Sequence, residues 1–194
     1  MRVAITRPQE DSERTAAALR ARGHEVLIAP LLHIEPVATK LGAHWGGVII
    51  TSANAAAAIT SHPAHKDMVK LPVFAVGKRS ADAARAAGFA TTTTAGGDVR
   101  DLLRTLVAQR PDTKAPLLYL AGEDRAGDLI GDLAVRGIAA ELAVVYRAAM
   151  APFPAELIAA IKAGEIDAVL HFSRRSAESY LSGAGQAVVT DKAL

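Results

Sequence analysis

Short runs of apolar residues alternate along the chain with alanine-rich segments whose apolar positions recur at helical spacing. The runs predict strands at Val3–Thr6, Glu25–Ala29, Val48–Thr51, Val73–Val76, Ala90–Thr94, Leu117–Leu120, Ala140–Tyr146 and Ala168–Phe172. The other segments predict helices at Glu13–Ala21, Ala53–Ile59, Ser80–Ala87, Val99–Ala108, Asp128–Val135, Glu156–Ala163 and Ser176–Leu181. This alternation indicates an α/β fold with parallel sheets and helices on both faces.

Two pairs of segments repeat a strand–loop–helix pattern at similar offsets. Val3–Gly23 and Leu117–Gly137 both end in Arg-Gly, and their final glycines lie 114 positions apart. Ser52 and Ser173, each placed between a strand and a helix, lie 121 positions apart. We interpret the offsets as two copies of one α/β unit, and chance resemblance between βα units is the alternative.

Two extended segments mark where the chain passes between the copies. Pro30–Val37 is bounded by prolines, which favour extended backbone, and Ala143–Ala148 is the second. The arrangement predicts an outer α/β domain built from residues 1–33 and 148–194. It also predicts an inner α/β domain of residues 40–143, with linker strands at 34–39 and 144–147.

Composition and charge narrow the class of protein. The 194 residues carry a formal net charge of +2, without a Lys/Arg run of the kind that binds nucleic acid and without an apolar stretch long enough to span a membrane. The chain has no cysteine, which excludes thiolate chemistry and suits a reducing cytoplasm. We expect a cytoplasmic monomer with no nucleic-acid or membrane partner.

The motifs that bind common cofactors are missing. Gly77-Lys78-Arg79-Ser80 lacks the spacing of a phosphate-binding loop, and no G-x-G-x-x-G or H-E-x-x-H occurs, so we predict no cofactor and no metal. Polar residues instead follow the predicted strands, at the sheet edge where open α/β folds bind ligands. They are Thr6-Arg7, Thr51-Ser52-Asn54, Gly77-Lys78-Arg79-Ser80, Gly122-Glu123-Asp124-Arg125 and Ser173-Arg174-Arg175-Ser176. Cations at helix starts suit a polyanionic small ligand.

Five motifs occur in order along nearly the whole chain. They are Thr6-Arg7-Pro8, Thr51-Ser52-Ala53-Asn54, Val76-Gly77-Lys78-Arg79-Ser80-Ala81, Val144-Val145-Tyr146 and Phe172-Ser173. In these motifs and in their order, the chain resembles the uroporphyrinogen-III synthase family. The resemblance implies two flavodoxin-like domains, a two-stranded linker and an active site in the cleft between the domains.

The resemblance also implies a reaction. The substrate is hydroxymethylbilane, a linear tetrapyrrole with eight carboxylates, handed over transiently by the upstream deaminase. Loss of its hydroxyl as water gives an azafulvene, and ring D then attacks through its substituted position to give a spiro intermediate. Fragmentation and reclosure leave ring D inverted, which yields uroporphyrinogen III. The enzyme mainly positions the chain and supplies an acid.

The resemblance makes Tyr146 the catalytic candidate, hydrogen-bonded to the leaving hydroxyl, with a packed strand-end tyrosine as the alternative. The substrate-binding candidates are Arg7, Thr51, Ser52, Asn54, Lys78, Ser80 and Ser173. For the hydroxyl-bearing residues, helix capping is the alternative. For the cations, a solvated surface is the alternative.

Members of the family continue with a further strand–turn–helix unit, so the resemblance implies an outer domain that is incomplete at the C-terminus. Residues 183–194 predict at most one short strand, Ala187–Thr190. A non-catalytic two-domain protein that binds an acidic small molecule is the main alternative function. A receiver-like signalling domain is the second alternative function. Such a domain needs an acidic residue at a strand end, and the predicted strand ends of this chain have none.

Overall fold

A computed structural model describes residues 1–42, 44–109 and 114–189. In chain order, its elements are β1 (Arg2–Ile5), α1 (Gln9–Arg20), β2 (Glu25–Ile28), β3 (Leu32–Pro36), β4 (Gly47–Ile50), α2 (Ala53–Ile59), α3 (His65–Met68), β5 (Val73–Ala75), α4 (Lys78–Ala86), β6 (Thr92–Thr94), α5 (Val99–Gln109), β7 (Leu117–Gly122), α6 (Leu129–Ala134), β8 (Ala140–Met150), α7 (Ala155–Lys162), β9 (Ala168–Leu170) and α8 (Arg174–Val189). None of the helices in these ranges has the length and apolar character needed to cross a bilayer.

The chain divides into two compact units. The first unit comprises Met1–Ile34 and Ala149–Leu194, and the second comprises Glu35–Ala148. The assignment of residues 34–39 and 144–147 as separate linkers stays a prediction.

The first unit contains a three-stranded parallel sheet in the order β2-β1-β9. The central strand β1 is buried from Val3 to Ile5, as expected for a parallel strand covered on both faces. Ala4 packs with Leu27 of β2 and Leu157 of α7 in the core of this unit. The chain turns from α1 into β2 at Gly23, whose φ of 80° is the left-handed conformation that ends many helices.

The second unit is built on a six-stranded sheet in the order β3-β8-β7-β4-β5-β6, of which β3 begins and β8 ends in residues of the first unit. The five strands from β4 to β8 are parallel. At the edge, Val37 N–H donates to Val145 O and Ala151 N–H donates to Leu31 O, so β3 runs antiparallel to β8. The α/β class with parallel sheets is therefore confirmed.

The strand order of the second unit differs from the predicted flavodoxin-like one. Numbered from β4 to β8, its parallel strands run 3-2-1-4-5, whereas flavodoxin-like sheets run 2-1-3-4-5. The reason is that α4 packs on the same face of the sheet as α2, so β6 is added beyond β5. The three strands of the first unit, numbered in the same way, run 2-1-3.

Helices cover both faces of the second sheet. One cluster packs α2 and α4 against Val48, Ile50, Leu118 and Leu120. The other packs α5 and α6 against Ile49, Leu117 and Tyr119. Side chains that alternate along β4 and β7 therefore enter opposite clusters, as the two-residue period of a strand requires.

Two segments differ from the sequence predictions, and a third differs in its bounds. Helix α3 was not predicted, and the strand predicted at 34–39 is β3 at Leu32–Pro36. The predicted strand Ala187–Thr190 is wrong for residues 187–189, which continue helix α8, and Thr190 lies outside the described residues. The segment is helical because residues 186–189 continue α8, and no proline stands there to end the helix.

Candidate functional site

The strand order places a crevice at the carboxyl ends of β4 and β7 in the second unit. These strands are neighbours, but α2, which follows β4, packs on one face of the sheet, and α6, which follows β7, packs on the other. Ligands of open α/β sheets bind at such a point, where the strand order reverses. The residues after β4 and β7 are therefore the first site candidates.

Thr51 directly follows β4 and is half-buried. Its hydroxyl lies 2.9 Å from the phenol oxygen of Tyr119, and either group can donate the hydrogen bond. Tyr119 belongs to β7 and is 7% exposed. The Thr51 hydroxyl thus ties the two strands of the crevice together.

Ser52 and Asn54 are placed by the start of helix α2. Ser52 has an extended backbone at the N-cap position, and its hydroxyl accepts a 3.2 Å hydrogen bond from the Asn54 N–H. This satisfies one of the backbone donors that a helix start leaves open. The capping alternative therefore holds for Ser52, while the Asn54 side chain is half-buried beside it.

Tyr146 is aimed by an irregularity in β8. Ala121 pairs with Val144, but the next residue, Gly122, pairs with Tyr146, so Val145 is an extra residue in the strand. Such a bulge reverses the alternation of side chains. Consecutive residues Val145 and Tyr146 consequently both pack against the cluster that contains α2 and α4.

The missing side chain of Gly122 leaves room for the Tyr146 ring. A Cβ atom at position 122 would lie 2.6 Å from Cζ and 2.9 Å from the phenol oxygen of Tyr146. The phenol therefore lies directly over the backbone at the end of β7. The following loop is braced, because Glu123 N–H donates to Tyr146 O at 2.9 Å and Arg125 donates to the carbonyl of Gly122 at 3.1 Å.

Lys78 and Ser80 belong to the start of α4, but they differ from expectation. The N-cap residue is Gly77, so the capping alternative for Ser80 is wrong, and Ser80 is only 4% exposed inside the helix. Lys78 is exposed and bonds to Asp82 at 2.9 Å. That hydrogen bond from Lys78 is the main cause that lowers the pKa of Asp82 below its ordinary value.

The first unit has a second polar edge, at the carboxyl ends of β1 and β9. Thr6 is fully buried, and its hydroxyl lies 3.1 Å from Leu170 O and 2.9 Å from Nδ1 of His171. Burial lowers the pKa of His171 below its ordinary value of 6.5, because the charged imidazolium is disfavoured there. The sequence did not single out His171, since a lone histidine after a strand carries no motif.

Arg7 lies beside this pair. Its guanidinium bonds to Asp11 at 3.2 Å and stacks over the Phe172 ring, 4.2 Å from the ring centroid. Ser173 caps helix α8, because its hydroxyl accepts a 3.1 Å hydrogen bond from Ser176 N–H. The structure therefore brings Arg7 close to Phe172, while the Ser173 hydroxyl has a structural role.

The predicted residues of the second unit separate by sheet face. The Tyr146 ring packs on the cluster that contains α2 and α4, whereas the Thr51 hydroxyl bonds to Tyr119 of the opposite cluster. Within the described ranges, no group of three or more His, Asp or Glu side chains is arranged to hold a metal ion.

Comparison with known proteins identifies the family. The model of the family described as Uroporphyrinogen-III synthase HemD matches residues 13–192. The chain belongs to the uroporphyrinogen-III synthase family. No curated protein matches the chain.

Two solved structures share the fold. The uroporphyrinogen-III synthetase of Helicobacter pylori 26695 superposes with a TM-score of 0.60 at 19% identity, over 94% of this chain and 78% of that one. A mutant uroporphyrinogen III synthase of the extremely thermophilic bacterium Thermus thermophilus gives a TM-score of 0.54 at 19% identity, over 94% and 77% of the two chains. At this identity, the likeness supports the fold.

Family membership defines the activity. The chain is a cyclising lyase of heme biosynthesis, which acts on hydroxymethylbilane and forms uroporphyrinogen III. The alternative of a non-catalytic binding protein is not favoured.

Proposed function

We propose that Tyr146 is the acid that assists departure of the hydroxyl from hydroxymethylbilane in the synthase reaction. The observation that supports this most is the bulge in β8 combined with the bare backbone of Gly122, over which the phenol lies. Bulges beside active sites re-aim a side chain. An ordinary strand tyrosine would need neither feature.

The chemistry needs one proton at the start. The pyrrole nitrogen pushes electrons toward the terminal carbon, the C–O bond breaks, and the oxygen leaves as water after taking a proton. A phenol can donate that hydrogen bond. A positioned acid of this kind typically contributes about 10²- to 10⁴-fold in rate. Attack by ring D, fragmentation and reclosure then depend on how the flexible chain is held.

The other candidates divide into direct binders and supporting residues. We assign Arg7, Lys78 and Asn54 to the substrate carboxylates, because a guanidinium, an ammonium and an amide at strand ends or helix starts are donors that carboxylates prefer. Thr51, Ser52, Ser80 and Ser173 support the site through the hydrogen bonds and burial described above.

The proposal includes the setting of the reaction. The two units act as two domains of a cytoplasmic monomer, which takes hydroxymethylbilane from the upstream deaminase by transient hand-over. A hand-over would protect the substrate, because hydroxymethylbilane that is released into water closes without inversion.

A single-atom change tests the role of Tyr146. In Tyr146→Phe, the ring keeps its packing and loses only its hydroxyl, so we expect kcat to fall about 10²-fold or more while KM stays within about twofold. Steady-state formation of the type III isomer measures both constants. The uncatalysed type I isomer should increase in the same reaction.

Tyr119→Phe is the matched control, because it removes the same atom from the neighbouring strand of the same sheet. We expect it to lower stability and to leave kcat close to that of the wild type. A Tyr146→Phe enzyme with wild-type kcat would sink the proposed role.

A further inference from the structure

Two neighbouring contacts join the ends of β1 and β9 in the first unit. Thr6 bonds to His171, and the next residues along the chain, Arg7 and Phe172, stack on each other. Thr6 is fully buried, whereas Phe172 is exposed. We therefore call Thr6–His171 the inner contact and Arg7–Phe172 the outer contact.

The inner contact fixes the outer one. Thr6 is fully buried and His171 is half-buried, with its ring 5.1 Å from the ring of Tyr180 on α8. Because each of these two residues directly precedes a member of the outer pair, their hydrogen bond sets the distance between Arg7 and Phe172. Thr6 and His171 are positioning residues.

The outer contact leaves an aromatic face in solvent. The chain has four Phe, one Trp and three Tyr, all within the described residues, and only Phe172 is exposed, at 52%. Burial of this exposed ring against a ligand would be favourable. Arg7 covers one side of the ring by a cation–π contact.

The surroundings carry positive charge. The Asp11 carboxylate is shared by two guanidinium groups, those of Arg7 at 3.2 Å and Arg14 at 2.5 Å, so this trio has a net positive charge. The Arg7 guanidinium has further N–H groups beyond the one that Asp11 accepts. An anion can bind there without displacing Asp11.

We propose that Arg7 and Phe172 form a platform that binds one pyrrole ring of the substrate and a carboxylate of that same ring. The Phe172 ring stacks on the pyrrole, and the Arg7 guanidinium pairs with the carboxylate. This inference rests on the proposed function, and it adds Phe172, Thr6 and His171 to the substrate site. A flat ring with an acidic side chain is the ligand that matches an aromatic face beside a fixed guanidinium.

Four variants separate the aromatic face from mere packing. Phe172→Leu keeps an apolar side chain without a ring, and Phe172→Tyr restores the ring. We expect Phe172→Leu to raise KM about fivefold to tenfold, since stacking of aromatic pairs contributes binding on that scale. We expect kcat to stay within about twofold, and Phe172→Tyr to recover the wild-type KM. Thr6→Val should raise KM in the same way, and Thr6→Ser should not.

A binding measurement keeps this test independent of turnover. The probe is a single pyrrole that bears an acetate and a propionate side chain, and NMR titration gives its dissociation constant for the full chain. We expect weaker binding to Phe172→Leu and to Arg7→Gln than to the wild type. If Phe172→Leu bound the probe as tightly as the wild type and kept the wild-type KM, the proposal of a platform would be wrong. A second outcome separates the two proposals. If the wild type formed no type III isomer but bound the probe, and Phe172→Leu bound it more weakly, the proposed function would fail and the platform would stand.

Discussion

The carboxyl edge of the first unit and that of the second unit occupy equivalent places in their sheets, but they carry different chemistry. At the first edge, a guanidinium, a carboxylate and an exposed aromatic ring meet across β1 and β9. At the second edge, the hydroxyl groups of Thr51 and Tyr119 meet across β4 and β7, and the Tyr146 phenol of β8 packs on the opposite face of the sheet. We propose a division of work, with the guanidinium–aromatic pair at the first edge and the acid at the second.

The two units also share local structure despite their different strand orders. Gly23 and Gly137, which the sequence pairs, both follow a helix with a positive φ, 80° and 72°. Ser52 and Ser173, also paired by the sequence, both cap the helix that follows a strand. The repeat therefore preserves the turns that begin and end helices, and the side chains around these turns differ.

The largest expected effect is at the second edge, from Gly122→Ala. The added Cβ would lie within 2.9 Å of three atoms of the Tyr146 side chain, so the ring must move. If this edge supplies the acid, kcat should fall about 10²-fold or more. Overpacking of this kind should also lower the free energy of unfolding by about 1–3 kcal/mol. Enzyme kinetics and urea unfolding measure the two effects.

Gly185→Ala is the matched control for this substitution. Gly185 is an exposed glycine of helix α8, and a Cβ there would meet nothing within 4 Å. Because alanine favours helix by up to about 1 kcal/mol over glycine, this variant should be as stable as the wild type or slightly more so. Full activity in Gly122→Ala would show that the position of Tyr146 does not matter.

The next effect concerns stability at the second edge. Thr51→Val and Tyr119→Phe each remove one side of a 2.9 Å hydrogen bond, and each should cost about 1 kcal/mol. Because both changes break the same bond, the double variant should cost less than the sum of the single variants. A double-mutant cycle of urea unfolding gives the coupling. Strictly additive losses would mean that the bond does not join β4 to β7.

The smallest expected effect is a pH dependence at the first edge. The pKa of His171 is lowered by burial, so the unfolded chain binds a proton more readily than the folded one does. The stability that depends on neutral His171 is present above the unfolded value of about 6.5. It is lost as the pH falls through the folded value. In His171→Asn, stability should fall less over this range.

Urea unfolding of wild type and His171→Asn between about pH 5 and 8, where histidine titrates, isolates this contribution, because other acidic groups titrate alike in both proteins. Parallel stability curves would contradict a lowered pKa of His171.

Much of the fold follows from the periodicity of apolar residues. The eight strands predicted between Val3 and Phe172 all correspond to strands of the structure, because parallel strands buried on both faces are nearly continuous apolar runs. The predicted helices at Val99–Ala108 and Asp128–Val135 also exist, and the side chains of Asp98 and Asp128 each accept a backbone hydrogen bond from three residues on, as N-cap residues do. The strand order could not be predicted from the sequence, because it depends on which face of the sheet each connecting helix covers.

The candidate site was only partly readable. Residues at strand ends could be identified by position, but the bulge at Val145 has no local signal in a run of apolar residues. The Thr6–His171 bond joins residues 165 positions apart, so no motif contains both. Ser80 shows the opposite error, because its place at a predicted helix start suggested a cap, whereas Gly77 is the N-cap and Ser80 is buried inside α4.

Product analysis is the most direct test of the synthase activity and of Tyr146 as its acid. The full chain is supplied with hydroxymethylbilane, formed in situ by the upstream deaminase, and the uroporphyrinogen isomers are separated by chromatography. We predict type III isomer well above a reaction without the chain, and a shift toward type I in Tyr146→Phe. Formation of the type I isomer alone by the wild-type chain would contradict the assigned activity.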